Sequence, residues 1–198
     1  MDGSHSGGKA RKGRLFVLAG PSGVGKGTLR KHGLSDIENL AYSVSCTTRL
    51  PREGERDGVD YYFVTMQDFE EKMANGLFLE HAIVHGNRYG TLLKNVELEM
   101  EAGRDVLLEI DVQGARQVKK VLPESIMIFV APPSLSVLEK RLRQRKTESE
   151  EKIAIRLENA KKEMALSSEY DRIIVNDDLE QACKELRDVL LNYRRNGC

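Results

Sequence analysis

A five-residue apolar run, Leu15 to Ala19, leads without a break into the stretch GPSGVGKGT, Gly20 to Thr28, and then into a helical pattern. That junction constrains the fold more than any other feature of the chain. Glycines at 20, 23 and 25 let the backbone close around one anion with successive N–H groups turned inward, and the helix behind adds its positive end. Lys26 supplies a compact positive charge for the outer phosphates. Such a cradle forms between a strand and a helix, so Leu15–Ala19 is expected as a buried strand of an α/β sheet. The expected phosphate-binding residues are Gly20, Pro21, Ser22, Gly23, Val24, Gly25, Lys26, Gly27 and Thr28. Gly27 departs from the general P-loop pattern: it stands where a Ser or Thr ordinarily reaches Mg²⁺, with Thr28 one place later.

Further apolar runs read as buried strands at Val106–Ile110, Ile126–Val130 and Ile173–Val175. Helical spacing separates them at Ala115–Val121, Leu135–Arg145, Glu150–Met164 and Leu179–Tyr193. Strands alternating with helices give βαβ units, and therefore a doubly wound parallel sheet covered on both faces. The middle of the chain, about residues 44–91, reads differently. There VDYYFVT (Val59–Thr65) and FLEHAIV (Phe78–Val84) alternate like half-buried strands around a short helix at Gln67–Ala74. This predicts a small mixed α+β insert on the parallel core. Residues 1–13 are rich in Gly, Ser and basic side chains and read as a flexible tail; residues 14–198 read as one domain.

Lys+Arg and Asp+Glu both total 31, so the formal net charge is zero. A general nucleic-acid binder carries a basic surplus, so no nucleic-acid partner is expected and any anion site is local. No apolar run nears the ~20 residues that cross a bilayer, which argues against a membrane partner. The N-terminal stretch lacks the apolar core of a signal peptide, and the expected location is cytoplasmic. Cys46, Cys183 and Cys198 cannot all pair within the chain, which suits a reducing compartment. His5, His32, His81 and His85 show no zinc-type spacing.

Two other stretches carry chemistry. Ser43-Val-Ser-Cys-Thr-Thr-Arg-Leu-Pro-Arg52 gathers hydroxyls and two arginines, and Pro51 restricts the backbone between Arg49 and Arg52 so that both can converge on one phosphate. Lys140 to Lys146 is the densest basic run. Arg141 and Arg145 are four apart and share a helical face, whereas Arg143 points nearly the opposite way. Glu109 and Asp111 end an apolar strand, where α/β sheets bind ligands. They share a face, with two roles open: orienting water on Mg²⁺ or contacting an acceptor nucleotide.

Taken together, GPSGVGKGT, VSCTTRLPREGERDGVDYYFV, FLEHAIVHGNRYGT, VLLEIDVQGA, FVAPPS and IIVNDD make the chain resemble the guanylate kinases from Leu15 almost to the C-terminus. The resemblance implies a P-loop nucleoside monophosphate kinase fold with a GMP-binding region at about 44–91 and a helical lid at about 139–160. It implies the reaction ATP + GMP giving ADP + GDP in purine nucleotide metabolism, with Mg²⁺ required; dGMP carries the same base and is left open as a substrate. Arg49, Arg52, Tyr61 and Tyr89 would surround the GMP phosphate, and Ser45, Glu80 and Thr91 the guanine, with Glu109 and Asp111 nearby. Arg141, Arg145 and Arg156 would serve the lid and the ATP phosphates, and Asn176 the adenine pocket. Lys26, Arg49, Arg141, Arg145 and Arg156 form the implied catalytic set. No direct protein ligand to Mg²⁺ is expected, with Asp111 acting through water. The family often has Asp at the position of Glu109 and Gly at that of Lys146.

Guanine chemistry suits this division. The adjacent N1–H and N2–H₂ donors match the two oxygens of a carboxylate such as Glu80, and O6 accepts from a hydroxyl of Ser45 or Thr91. Two rival readings stand beside it. One is a kinase for another monophosphate, since GKGT also occurs in adenylate kinases; the other is a non-catalytic guanylate-kinase-like scaffold, which typically has a damaged P-loop.

Overall fold

Alternation along β1 (Leu15–Ala19) decides the layering. Leu15, Val17 and Ala19 pack into one core cluster, and Phe16 and Leu18 into another on the opposite face. A strand buried on both faces needs cover on both, and the rest of the chain supplies it. The computed structural model describes residues 11–84, 86–144 and 149–195. In chain order these form α1 (Lys26–Gly33), β2 (Leu40–Tyr42), β3 (Cys46–Thr47), β4 (Tyr62–Phe63), α2 (Met66–Ala74), β5 (Phe78–Val84), β6 (Asn87–Leu92) and α3 (Leu93–Glu101). β7 (Asp105–Glu109), α4 (Val112–Val121), β8 (Ile126–Ala131), α5 (Leu135–Gln144), α6 (Glu150–Ala165), β9 (Arg172–Val175) and α7 (Leu179–Arg195) complete it.

The main sheet is wholly parallel, in the order β2-β7-β1-β8-β9. Leu29 of α1, Leu138 and Leu142 of α5, and Leu186 and Leu190 of α7 lie in the cluster on one face. Val96 and Met100 of α3, with Ala115 and Val118 of α4, lie in the cluster on the other. Leu79 of β5 joins that second cluster, so the smaller sheet is rooted in the core. This smaller sheet runs β4-β3-β6-β5 and is mixed: β3 and β4 are parallel, while β6 is antiparallel to both β3 and β5. Among the described residues no helix is long and apolar enough to cross a membrane.

Two expectations need correction. VDYYFVT contributes only the two-residue β4, because nearby acids claim the backbone before a ladder can. Asp57 accepts from the Phe63 N–H at 2.8 Å and Asp60 from the Arg56 N–H at 2.9 Å, a typical turn-forming use of Asp. The second correction concerns the tail. Residues 1–10 lie outside the described residues, but Arg11 and Gly13 are tied to the body. Arg11 pairs with the buried carboxylate of Asp105 at 2.7 Å, and the Gly13 N–H donates to the Met100 carbonyl at 2.7 Å.

Candidate active site

The phosphate loop leaves β1 at Gly20 and enters α1 at Lys26. Its sharpest demand falls on Gly20, at φ +143°, where a β-carbon would stand 2.2 Å from the Val130 carbonyl oxygen of β8. Gly25 precedes α1 in a left-handed conformation and offers the helix no side-chain cap. The first amides of α1 are thus left for an anion. Lys26 Nζ donates to the carbonyls of Gly20 at 2.7 Å and Pro21 at 3.3 Å, which spans the loop from within.

Three distant residues close on the same loop. Asn176, buried just after β9, donates its amide to the Val24 carbonyl at 2.8 Å. Arg141 of α5 donates to that carbonyl at 3.3 Å and to the Asn176 carbonyl at 2.8 Å. Arg156 of α6 donates to the Ser22 hydroxyl at 3.0 Å. Arg143, on the other side of α5, pairs instead with Glu139 at 2.9 Å and with Glu150. Arg145 lies outside the described residues.

In the stretch after β3, Arg49 is held from several directions. It donates to the Tyr89 hydroxyl at 3.2 Å and to Glu55 at 2.9 Å, with its guanidinium 5.3 Å from the centre of the Tyr61 ring. The Tyr61 and Tyr89 rings meet edge to face at 5.9 Å. Arg52 stands exposed beside them, and its backbone N–H donates to the other oxygen of Glu55 at 2.8 Å. Glu55 therefore organises both arginines. Sequence reasoning missed it, although an acid three residues beyond Arg52 is a readable turn signal.

The third group is buried. β5 and β6 slip register between Phe78 and Glu80, so Glu80 comes to face Thr91. A bulge re-aims side chains in this way, and here it brings a carboxylate inward beside Leu79. Glu80 is 3% exposed; Thr91 Oγ1 donates to its Oε1 at 2.6 Å, and Ser45 Oγ lies 3.4 Å from Thr91 Oγ1. Burial pushes the Glu80 carboxyl up to about 7, the nearby charge of Asp111 adds to the shift, and the bond from Thr91 opposes it.

Acids from the end of β7 stand between these groups. Glu109 accepts from Arg30 Nε at 3.2 Å. Asp111 caps α4, accepting from the Gly114 N–H at 2.8 Å. Burial raises its carboxyl above the usual range, and the positive charge of Lys26 acts against the shift. Glu163 of α6 is a further acid here that the sequence did not single out. Burial raises it too, while Lys26 opposes and Asp111 reinforces the shift. Helical periodicity cannot show that α6 folds back over the phosphate loop, so no local signal marked Glu163. Among the described residues no group of three or more His, Cys, Asp or Glu side chains is arranged to hold a metal ion.

The geometry thus sets an anion cradle beside a buried polar cluster of Glu80, Thr91 and Ser45. The guanylate kinase family pattern matches residues 12–193. The guanylate kinase of Carboxydothermus hydrogenoformans is 52% identical over 179 residues, covering 90% of this chain and 88% of the relative. That of Fusobacterium nucleatum is 49% identical over 180 residues, covering 91% and 97%. The crystal structure of guanylate kinase from Anaplasma phagocytophilum superposes with a TM-score of 0.77 at 35% identity, covering 95% of this chain and 89% of that one. A match of this extent, running through the loop, the bulged β5 and the closing arginines alike, has one reading: the chain belongs to the guanylate kinase family.

Proposed function

We propose that this protein transfers the terminal phosphoryl group of ATP to the phosphate of GMP, giving ADP and GDP. One observation carries the proposal: the end of β7 joins the two halves, with Glu109 Oε1 3.3 Å from where a β-carbon on Gly27 of the phosphate loop would stand, and Asp111 Oδ1 against Gly114, where Glu80 Oε2 also lies. A donor cradle and a base-reading pocket that share one strand end form a single cleft with two half-sites.

In this reading the GMP phosphate oxygen forms the new bond to the γ-phosphorus as the bond to ADP breaks. Little covalent work is left to the protein, because such transfers run through loose transition states stabilised by positioning and charge. Lys26, Arg141 and Arg156 offset charge on the donor phosphates, with Arg145 as a fourth cation. Arg49 and Arg52 grip the acceptor phosphate, and Tyr61 and Tyr89 shape the wall beside it. Glu80 accepts from guanine N1–H and N2–H₂, Ser45 donates to O6, and Thr91, whose one hydroxyl proton goes to Glu80, lines the base beside it. Adenine would leave these buried groups unpaired, which is how polar pockets discriminate strongly. Closure of α5 and α6 over the loop excludes water and suppresses ATP hydrolysis.

The residues suit a Mg²⁺ ion that arrives on the ATP phosphates and keeps most of its water. Among the described residues the oxygen ligands near the loop include the hydroxyls of Ser22 and Thr28 and the carboxylates of Glu109, Asp111 and Glu163, and Gly27 carries no hydroxyl. Asp111 would be the residue that holds the ion through water, and the ion would supply neutralisation of phosphate charge. We place the reaction in the cytoplasm, where the free thiols of Cys46 and Cys183 stay reduced. The test is ADP release with ATP and a panel of nucleoside monophosphates. GMP should be strongly preferred; equal use of AMP would overturn the reading.

A further inference from the structure

Beyond the residues that would touch the base, the structure shows what holds Glu80 in place. Gly114 sits in the first turn of α4, and a β-carbon there would stand 2.3 Å from Glu80 Oε2, 3.0 Å from its carboxyl carbon and 3.2 Å from Asp111 Oδ1, so that Glu80 takes the severe clash and Asp111 a slight one. The backbone gives no reason for glycine at this position. Gly114 is helical, without positive φ, and alanine in a helix is favoured over glycine by about 1 kcal/mol. The space is taken by the carboxylate of a residue 34 places earlier. One turn further along α4, Gln117 clasps the peptide next to Glu80. Its Nε2 donates to the His81 carbonyl at 2.7 Å, and its Oε1 accepts from the His81 N–H at 3.1 Å. β5 is the edge of its sheet, so these peptide groups point away from β6, and one side-chain amide satisfies both.

We infer that Gly114 and Gln117 are positioning residues of the base pocket, so that a helix of the parallel core sets where the base-reading carboxylate stands. The inference rests on the reading of Glu80 as the guanine acceptor. The register slip turns Glu80 inward, Gly114 leaves the room it occupies, and Gln117 locks the strand against α4. An added methyl group at Gly114 must displace the carboxylate by about 1 Å, because the helix backbone cannot yield as a side-chain end can. Errors of that size can cost on the order of a hundredfold in a positioned site.

The experiment compares Gly114→Ala, Gln117→Leu, Glu80→Gln and the double variant Glu80→Ala/Gly114→Ala with Glu80→Ala alone. For each, KM for GMP, KM for ATP, kcat, the GMP-to-IMP preference and the melting temperature are measured. Gly114→Ala should keep its fold and its KM for ATP, while KM for GMP rises at least about tenfold and preference for the 2-amino group falls. Gln117→Leu should shift the same two quantities by a smaller factor. In the Glu80→Ala background, Gly114→Ala should add little, because the severe clash is with the missing carboxylate and Asp111 Oδ1 need yield only slightly. A Gly114→Ala enzyme with wild-type KM for GMP, alongside a crippled Glu80→Gln enzyme, would overturn the inference and leave the base reading intact. Equal loss of GMP and ATP binding with a lowered melting temperature would also overturn it, in favour of a general packing role. If Glu80→Gln itself left GMP use and base preference unchanged, the base reading would fail, and the inference with it.

Discussion

Thr91 donates a 2.6 Å hydrogen bond to Glu80, and both side chains are almost closed to water. That bond favours the ionised carboxyl, yet burial outweighs it and lifts the group from its ordinary 4.5 to about 7. Guanine's donors need the anion. KM for GMP should therefore rise as pH falls through about 7, approaching tenfold per pH unit, while KM for ATP does not follow. In Glu80→Gln this dependence should vanish along with most GMP use. The same shift has a stability cost. The folded state holds the Glu80 proton more tightly than the unfolded chain does, so this group's contribution is fully present below about 4.5 and is lost as pH rises through about 7. At pH 8 the cost is on the order of 3 kcal/mol. Glu80→Gln should then melt higher than wild type at pH 8, with the gap closing toward pH 5. A gap that widened at low pH would contradict the assignment.

Arg141 and Arg143 lie two places apart on α5 and have different partners. The first reaches the Val24 and Asn176 carbonyls at the phosphate loop; the second is paired with Glu139 and Glu150. Arg141→Ala should lower kcat by at least about a hundredfold, as the loss of a transition-state cation does. Arg143→Ala removes only exposed surface pairs and should leave turnover within a few-fold. Steady-state kinetics on both variants checks this; equal small losses would assign α5 a merely solvated basic face.

Gly27 tests the metal. A β-carbon there would lie 3.3 Å from Glu109 Oε1, which is tight but adjustable, and the residue is helical without positive φ. Gly27→Ser should fold and keep its activity within a few-fold, with a modest change in the Mg²⁺ concentration that half-saturates turnover. A variant that needed far less Mg²⁺ and turned over much faster would show that the missing hydroxyl had been limiting.

How much of this was legible in the chain depends on the range of the interaction that fixes each part. β1, β8 and the phosphate loop declare themselves because burial on both faces and tight φ angles act locally. The contents of the base pocket were nameable through family resemblance, since Glu80 on an alternating strand reads by itself as a solvated acid. The register slip beside Leu79, the seat at Gly114 and the Gln117 clasp were not legible, because each depends on β5 docking against a helix more than 30 residues away. Where side chains compete with the backbone, as at Asp57 and Asp60, alternation misleads and a seven-residue expectation shrinks to the two residues of β4.

The buried carboxylate of Asp105 also receives Arg11 and, at 2.6 Å, Arg194 from the last turn of α7. One anion thus clasps the first and last parts of the described chain at the start of β7. β1 and β7 run parallel in register, so this clasp sits at the opposite pole of the sheet from the phosphate loop, about 17 Å away along five residues of strand. A pull applied between Arg11 and Arg194 would act on the Asp105 clasp, away from the phosphate loop. The Asp105 clasp and the phosphate loop thus lie at opposite ends of β1 and β7.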